Sequence, residues 1–162
     1  MDLTAWLAAF GKLHERARQG GLSAAEERQY AAGREELARA MVAAQKIPLP
    51  PGETARDGYK AARALPIDLD LSAGRVRALT LEFSRRGFAT LLEKPPPVTE
   101  AVGFVLRAPG SDPITGRCRL VETVHRGNSQ WSRFAFKDLP PEAVEKMEML
   151  VIDSLLAQFA HP

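Results

Sequence analysis

The residue types best suited to chemistry lie in one stretch, Leu81-Glu82-Phe83-Ser84-Arg85-Arg86-Gly87-Phe88, between two alternating apolar runs. It offers a hydroxyl, two guanidinium groups and the backbone N–H groups of a tight turn. Guanidinium forks and backbone amides both match the oxygens of a phosphate. Gly87 is expected to take the positive φ that closes such a turn without steric cost. The alternative is a charged hairpin tip that keeps a sheet edge soluble, since short motifs also arise by chance. A second basic group, Arg56, Lys60 and Arg63, precedes the first strand-like run. If the strands close antiparallel, the start of the first neighbours the end of the second, and the two basic groups meet. The result is either a dianion site built from two segments or a solvated basic rim.

Other chemistry finds no support. The histidines, His14, His125 and His161, fall in a helix, at a strand end and at the C-terminus, without partners at metal-ligand spacing. Ser84 lacks the flanking glycines of a nucleophile elbow. No glycine-rich loop opens a helix after a strand, so dinucleotide and nucleoside-triphosphate sites are unsupported. The chain is therefore read as a non-enzyme with no catalytic residue, no metal and no cofactor. Its net charge of +2 is too small for a general nucleic-acid binder. Trp131, Phe134 and Phe136 would offer stacking to a nucleic-acid-binding barrel, but core packing explains them equally well. The single cysteine, Cys118, excludes an intrachain disulfide and suits a reducing cytoplasm. No apolar run is long enough to span a bilayer, and the N-terminus lacks the features of a signal peptide.

The elements that would position these residues follow from periodicity. Leu3, Trp6, Leu7, Phe10, Leu13 and Ala17 repeat at helical spacing over residues 2–19, with Asp2 as N-cap and Gly20-Gly21 as terminator. Ser23-Ala24-Ala25-Glu26 has capping-box spacing and opens a second helix to about Gln45. The two make a helical hairpin over residues 1–46 whose apolar stripes must be buried on its own chain or on a second subunit. Trp6, Phe10, Leu13 and Leu37 should then be largely buried. Residues 47–62 form a basic linker, and the prolines of 47–58 argue against a regular helix there. Residues 63–162 form the remaining domain. From Leu65 the period becomes 2, and six short strands are expected, starting near Leu65, Arg75, Phe88, Val102, Arg117 and Gln130. In the second, Arg75, Arg77, Leu79, Leu81 and Phe83 share one nominal face, so either a bulge swaps the faces or that face is half open. A last helix begins at Pro140-Pro141-Glu142, with Val144, Met147, Val151, Leu155 and Phe159 on one stripe. The fold class is mainly β with flanking helices: a six-stranded antiparallel barrel or sandwich, preceded by a helical hairpin and closed by a C-terminal helix.

A basic segment, six short strands, a turn of the form Asp/Asn-x-Ser-x-x-Gly and a C-terminal helix resemble the PilZ domain, over about residues 56–160. Arg133-Phe134-Ala135-Phe136 followed by Lys137-Asp138-Leu139-Pro140-Pro141-Glu142 is similar to that family's last strand and helix start. The resemblance implies a six-stranded β-barrel that binds cyclic di-GMP. It implies ligand contacts from Arg56, Lys60, Arg63, Glu82, Ser84, Arg85, Arg86 and Gly87. The motif departs from pattern in three places. Glu82 stands for Asp/Asn, and Arg133 stands where the last strand commonly has glycine. Neither placement of the family's Arg-x-x-x-Arg gives two arginines: Arg56 with Lys60, or Tyr59 with Arg63. Lysine neither forks to phosphate nor stacks on guanine as arginine does.

The reading is therefore a non-catalytic, cytoplasmic PilZ-like bacterial signalling adaptor, with cyclic di-GMP as the implied ligand. Its rival is a ligand-independent protein-interaction module that contacts a partner, or a second copy, through the N-terminal helices or the sheet face. No nucleic acid and no membrane insertion are expected.

Overall fold

The computed structural model describes residues 2–160, and His161 lies outside them. Contacts divide the chain into two units, with breaks between Tyr59 and Lys60 and between Leu155 and Leu156.

The first unit holds three helices: α1 (Leu3–Arg18), α2 (Ala24–Gln45) and the single turn α3 (Ala55–Gly58). Asp2 caps α1 by accepting from the Thr4 amide, and Gly20 turns the chain at φ +73°. Ser23 and Glu26 complete the capping box of α2. The two helices meet through Phe10, His14 and Tyr30. The Phe10 and Tyr30 rings stack with centroids 5.5 Å apart, and His14 Nδ1 lies 2.6 Å from the Tyr30 hydroxyl. Gly33 permits this approach, since a Cβ there would fall 2.7 Å from the Phe10 ring. Phe10 and Leu37 are buried as expected, whereas Trp6 and Leu13 are half-buried and Leu3 is exposed. The stripe is thus centred on Phe10 and His14. The helical turn α3 corrects the expectation for residues 47–58. The prolines stop at Pro51, and buried Asp57 accepts from the Thr54 amide at 2.9 Å, which is enough to start one turn.

The second unit is a closed antiparallel barrel with strand order β1-β2-β3-β6-β5-β4. Its strands are β1 (Pro66–Leu71), β2 (Gly74–Phe83), β3 (Gly87–Leu92), β4 (Ala101–Leu106), β5 (Ile114–Arg126) and β6 (Ser129–Lys137). A last helix, α4 (Pro141–Ala160), follows. The strand β5 begins three residues before the expected Arg117, because Ile114, Thr115 and Gly116 pair with Leu106, Val105 and Phe104. Inside the barrel, Phe88, Phe104, Phe134 and Phe136 form one ring cluster. Cys118 is buried, and desolvation pushes its thiol up to about 12, so it behaves as a small apolar residue. The wrinkle in β2 is a bulge: the register shifts between Thr80 and Glu82. Arg75, Arg77 and Leu79 point outward before it, and Phe83 points inward after it.

On the outside of β1, Asp68 is buried beneath two arginines. Its carboxylate accepts from Arg77 Nε at 2.9 Å and from Arg107 Nη2 at 3.1 Å. These hydrogen bonds, the Arg77 one first, hold its pKa down to about 2. A depressed carboxylate contributes stability above its unfolded value, near 3.9, and loses it as pH falls through the folded value. Asp68→Asn should therefore lower the melting temperature at pH 7. The gap to the parent should narrow steadily between about pH 4 and pH 2. Thermal unfolding across that range checks it, and a gap independent of pH would contradict it.

Candidate functional site

The turn between β2 and β3 is three residues, Ser84, Arg85 and Arg86. Its own atoms use much of what an anion would need. The Ser84 amide donates to the Gly87 carbonyl at 2.9 Å, and the Arg86 amide donates to Ser84 Oγ at 3.1 Å. The Arg86 carbonyl accepts from the Phe136 amide at 2.8 Å, which pins the turn to β6. Ser84 is buried. Two backbone donors that the sequence reading reserved for phosphate are thus engaged within the turn.

Gly87 has a different role from the one expected. It is not among the positive-φ residues. A Cβ at this position would lie 1.9 Å from the Phe134 carbonyl oxygen and 3.1 Å from the Ala135 Cα. The glycine is required because β3 and β6 approach too closely for any side chain.

The basic segment does reach the turn. Ala61 and Phe83 exchange two backbone hydrogen bonds, each 3.0 Å, which extends the sheet beyond β1. This places Lys60 against Glu82, with Nζ 3.1 Å from Oε1. Two of the three departures from the family motif therefore face one another as an ion pair. Arg85 turns away to α4, where Nη1 lies 3.1 Å from Glu148 Oε1, a carboxylate 1% exposed. Arg63 donates to Ser154 Oγ at 3.3 Å, and its carbonyl accepts from Thr80 Oγ1 at 2.7 Å. Arg56 belongs to the first unit, and Tyr59 is buried. Arg133 pairs with Glu122 at 2.9 Å on the outer face of β6 and β5. Phe134 and Phe136 belong to the ring cluster of the core and offer no stacking platform. Among the described residues no group of His, Cys, Asp and Glu could hold a metal ion.

Sequence reasoning missed Glu148 and Ser154. The signal was present: Glu148 is a carboxylate flanked by Met147 and Met149 in an apolar helix, and a buried carboxylate demands a cation.

No family model matches the chain, and no curated protein does. Solved structures do match. The inhibitor of motility MotI of Bacillus subtilis superposes with a TM-score of 0.54 at 12% identity, covering 64% of this chain and 50% of that one. The PilZ domain of YcgR from Escherichia coli, solved with cyclic di-GMP, superposes at 0.53 and 12% identity, covering 63% of this chain and 92% of that domain. The barrel has a PilZ-like fold. The longer YcgR chain, also solved with cyclic di-GMP, superposes at 0.53 and 13% identity over 63% of this chain. The match spans about half the length of the MotI and YcgR chains.

The PilZ-like turn depends on two contacts that substitution can probe. Gly87→Ala forces β3 from β6 and should cost about 3 kcal/mol or prevent folding. Arg85→Met leaves Glu148 buried without its cation and should cost roughly 3 kcal/mol, while the double change Arg85→Met, Glu148→Met should recover most of it. Urea unfolding of the four proteins checks both, and a single-variant loss under about 0.5 kcal/mol would contradict the packing described.

Proposed function

We propose that this chain is a non-catalytic PilZ-type signalling adaptor that works through protein contacts, and that its barrel binds cyclic di-GMP weakly. The observation that carries this reading is the internal pairing of the basic residues at the turn. Cyclic di-GMP presents two phosphate charges and two guanine edges. In the barrel unit, the residues around the turn that the resemblance assigns to it are Lys60, Arg63, Glu82, Ser84, Arg85, Arg86 and Gly87. Of these, Lys60 already faces Glu82, and Arg85 already faces buried Glu148. Withdrawing Arg85 would take a guanidinium from a buried carboxylate, at a cost of roughly 3 kcal/mol. The Lys60–Glu82 pair is about one-third exposed on each side, so breaking it costs under about 1 kcal/mol. Lys60 can thus be recruited cheaply and Arg85 cannot. Gly87 is accounted for by strand packing, so its presence carries no weight for a ligand.

No described helix is long and apolar enough to cross a membrane. The free, buried thiol of Cys118 agrees with a reducing bacterial cytoplasm. The helical hairpin, with exposed Leu3 and half-buried Trp6, is a further surface for a protein partner or a second copy.

The second reading, a cyclic di-GMP receptor proper, is favoured by the meeting of Lys60 with the turn. In that case Lys60 would turn from Glu82 to the phosphates. Calorimetric titration with cyclic di-GMP separates the two. The parent chain should bind with a dissociation constant above about 10 μM. The double variant Lys60→Arg, Glu82→Asp should bind at least about tenfold more tightly, because it supplies the guanidinium fork and shortens the carboxylate that competes for residue 60, without changing net charge. Sub-micromolar binding by the parent would overturn the adaptor reading in favour of the receptor.

A further inference from the structure

The outer face of β2, β3, β6 and β5 carries an apolar patch that the ligand motif does not use. Thr80 pairs with Thr90, so continuing that register by one residue sets Leu79 opposite Leu91; Leu91 pairs with Trp131, which pairs in turn with Val124. The four side chains therefore form one row across four strands. Leu79, Leu91 and Val124 are 55%, 43% and 44% exposed. Two bulges enlarge the row. The registers shift between Thr80 and Glu82 and between Leu120 and Glu122, so Leu81 and Val121 are the extra residues. Alternation places each on the outer face, the bulge brings the following glutamate to the same face, and they are 40% and 44% exposed. Five of the ten exposed large apolar side chains among the described residues thus lie on this face. Singly scattered leucines need no explanation, but a contiguous row of this kind marks an interaction surface.

The charges around the patch are asymmetric. Along one border the cations are neutralised: Arg133 by Glu122 and Lys60 by Glu82. Along the other, Arg77 shares the single Asp68 carboxylate with Arg107, so that corner keeps positive charge. Arg126, two residues beyond Val124, is exposed and makes no ion pair among the described residues. Glu93 is the one carboxylate on that border of β3. Four strands at about 4.8 Å spacing make the row about 14 Å long, which is close to three turns of α-helix.

We propose that the row Leu79–Leu91–Trp131–Val124, bordered by Arg77 and Arg126, docks an amphipathic helix of a partner protein, with its apolar stripe on the row and its carboxylates facing the two arginines. This names the partner chemistry of the adaptor and rests on that reading. A row with charge on one side suits a linear segment with an acidic border better than it suits a lipid surface, which has no preferred border.

The test uses the full chain with Trp6→Phe, so that Trp131 is the one tryptophan and is excited apart from the two tyrosines. The probe is a stapled three-turn peptide with leucines at i, i+4 and i+7 and glutamates along one border, and a twin with lysines in place of the glutamates. The glutamate peptide should shift Trp131 emission to the blue and saturate below about 1 mM. The lysine twin should bind at least about fivefold more weakly, and Arg126→Glu should reverse that order. Leu91→Glu should abolish binding while leaving the unfolding midpoint and any cyclic di-GMP titration unchanged, because Leu91 is exposed. That unchanged titration separates failure of the docking proposal from failure of the ligand reading. No saturation by either peptide would overturn the proposal. So would equal affinity for both, a Leu91-dependent shift with phosphatidylglycerol vesicles in place of the peptide, or Leu91-dependent self-association in sedimentation.

Discussion

The structure depends on how closely β3 passes β6 at Gly87. The barrel closes through this pairing, and the Phe134 carbonyl occupies the space that any Cβ would need. The close approach fixes the end of β3, which sets the three-residue turn before it. The turn then bonds to itself through Ser84 and to β6 through Arg86. A backbone requirement of the fold thereby decides which donors a ligand would find open. The glycine and the serine of the turn each have a structural task that holds without any ligand.

Electrostatics decide what remains. Of the basic residues around the turn, two meet carboxylates of the same unit, and the burial of each pair sets its strength. Arg85 meets Glu148 where the carboxylate is buried, so parting them is costly. Lys60 and Glu82 remain partly wet, and their attraction is screened and small. One cation is structural, the other is conditional. The same contrast of buried and exposed holds on the outer face. There, the bulges at Leu81 and Val121 set an exposed apolar side chain and the glutamate that follows it on one face.

Much of the fold was legible because it rests on local signals. The switch from a helical period to alternation at Leu65 located the barrel, and Ser23 with Glu26 located the start of α2. The conflicting pattern of β2 even signalled its bulge. The helical turn at Ala55–Gly58 was not legible, because the prolines before it outweighed a short Thr54–Asp57 cap. The site was legible only in part. Alternating strands with antiparallel closure brought Lys60 to the turn, as expected. The role of Gly87 was misread because closeness to a strand 47 residues later leaves no mark on local sequence. Glu148 was passed over for a related reason: its partner lies 63 residues away, and only tertiary structure joins them.

The central claim is that Glu82 competes with the ligand for Lys60. A double-mutant cycle on cyclic di-GMP affinity tests it most directly, using Glu82→Gln, Lys60→Met and both together. With Lys60 present, Glu82→Gln should tighten binding by up to about fivefold, the worth of a part-exposed ion pair. In the Lys60→Met background the same change should have no effect. If Glu82→Gln instead weakens binding, the carboxylate holds the ligand itself, and the account given for this turn is wrong.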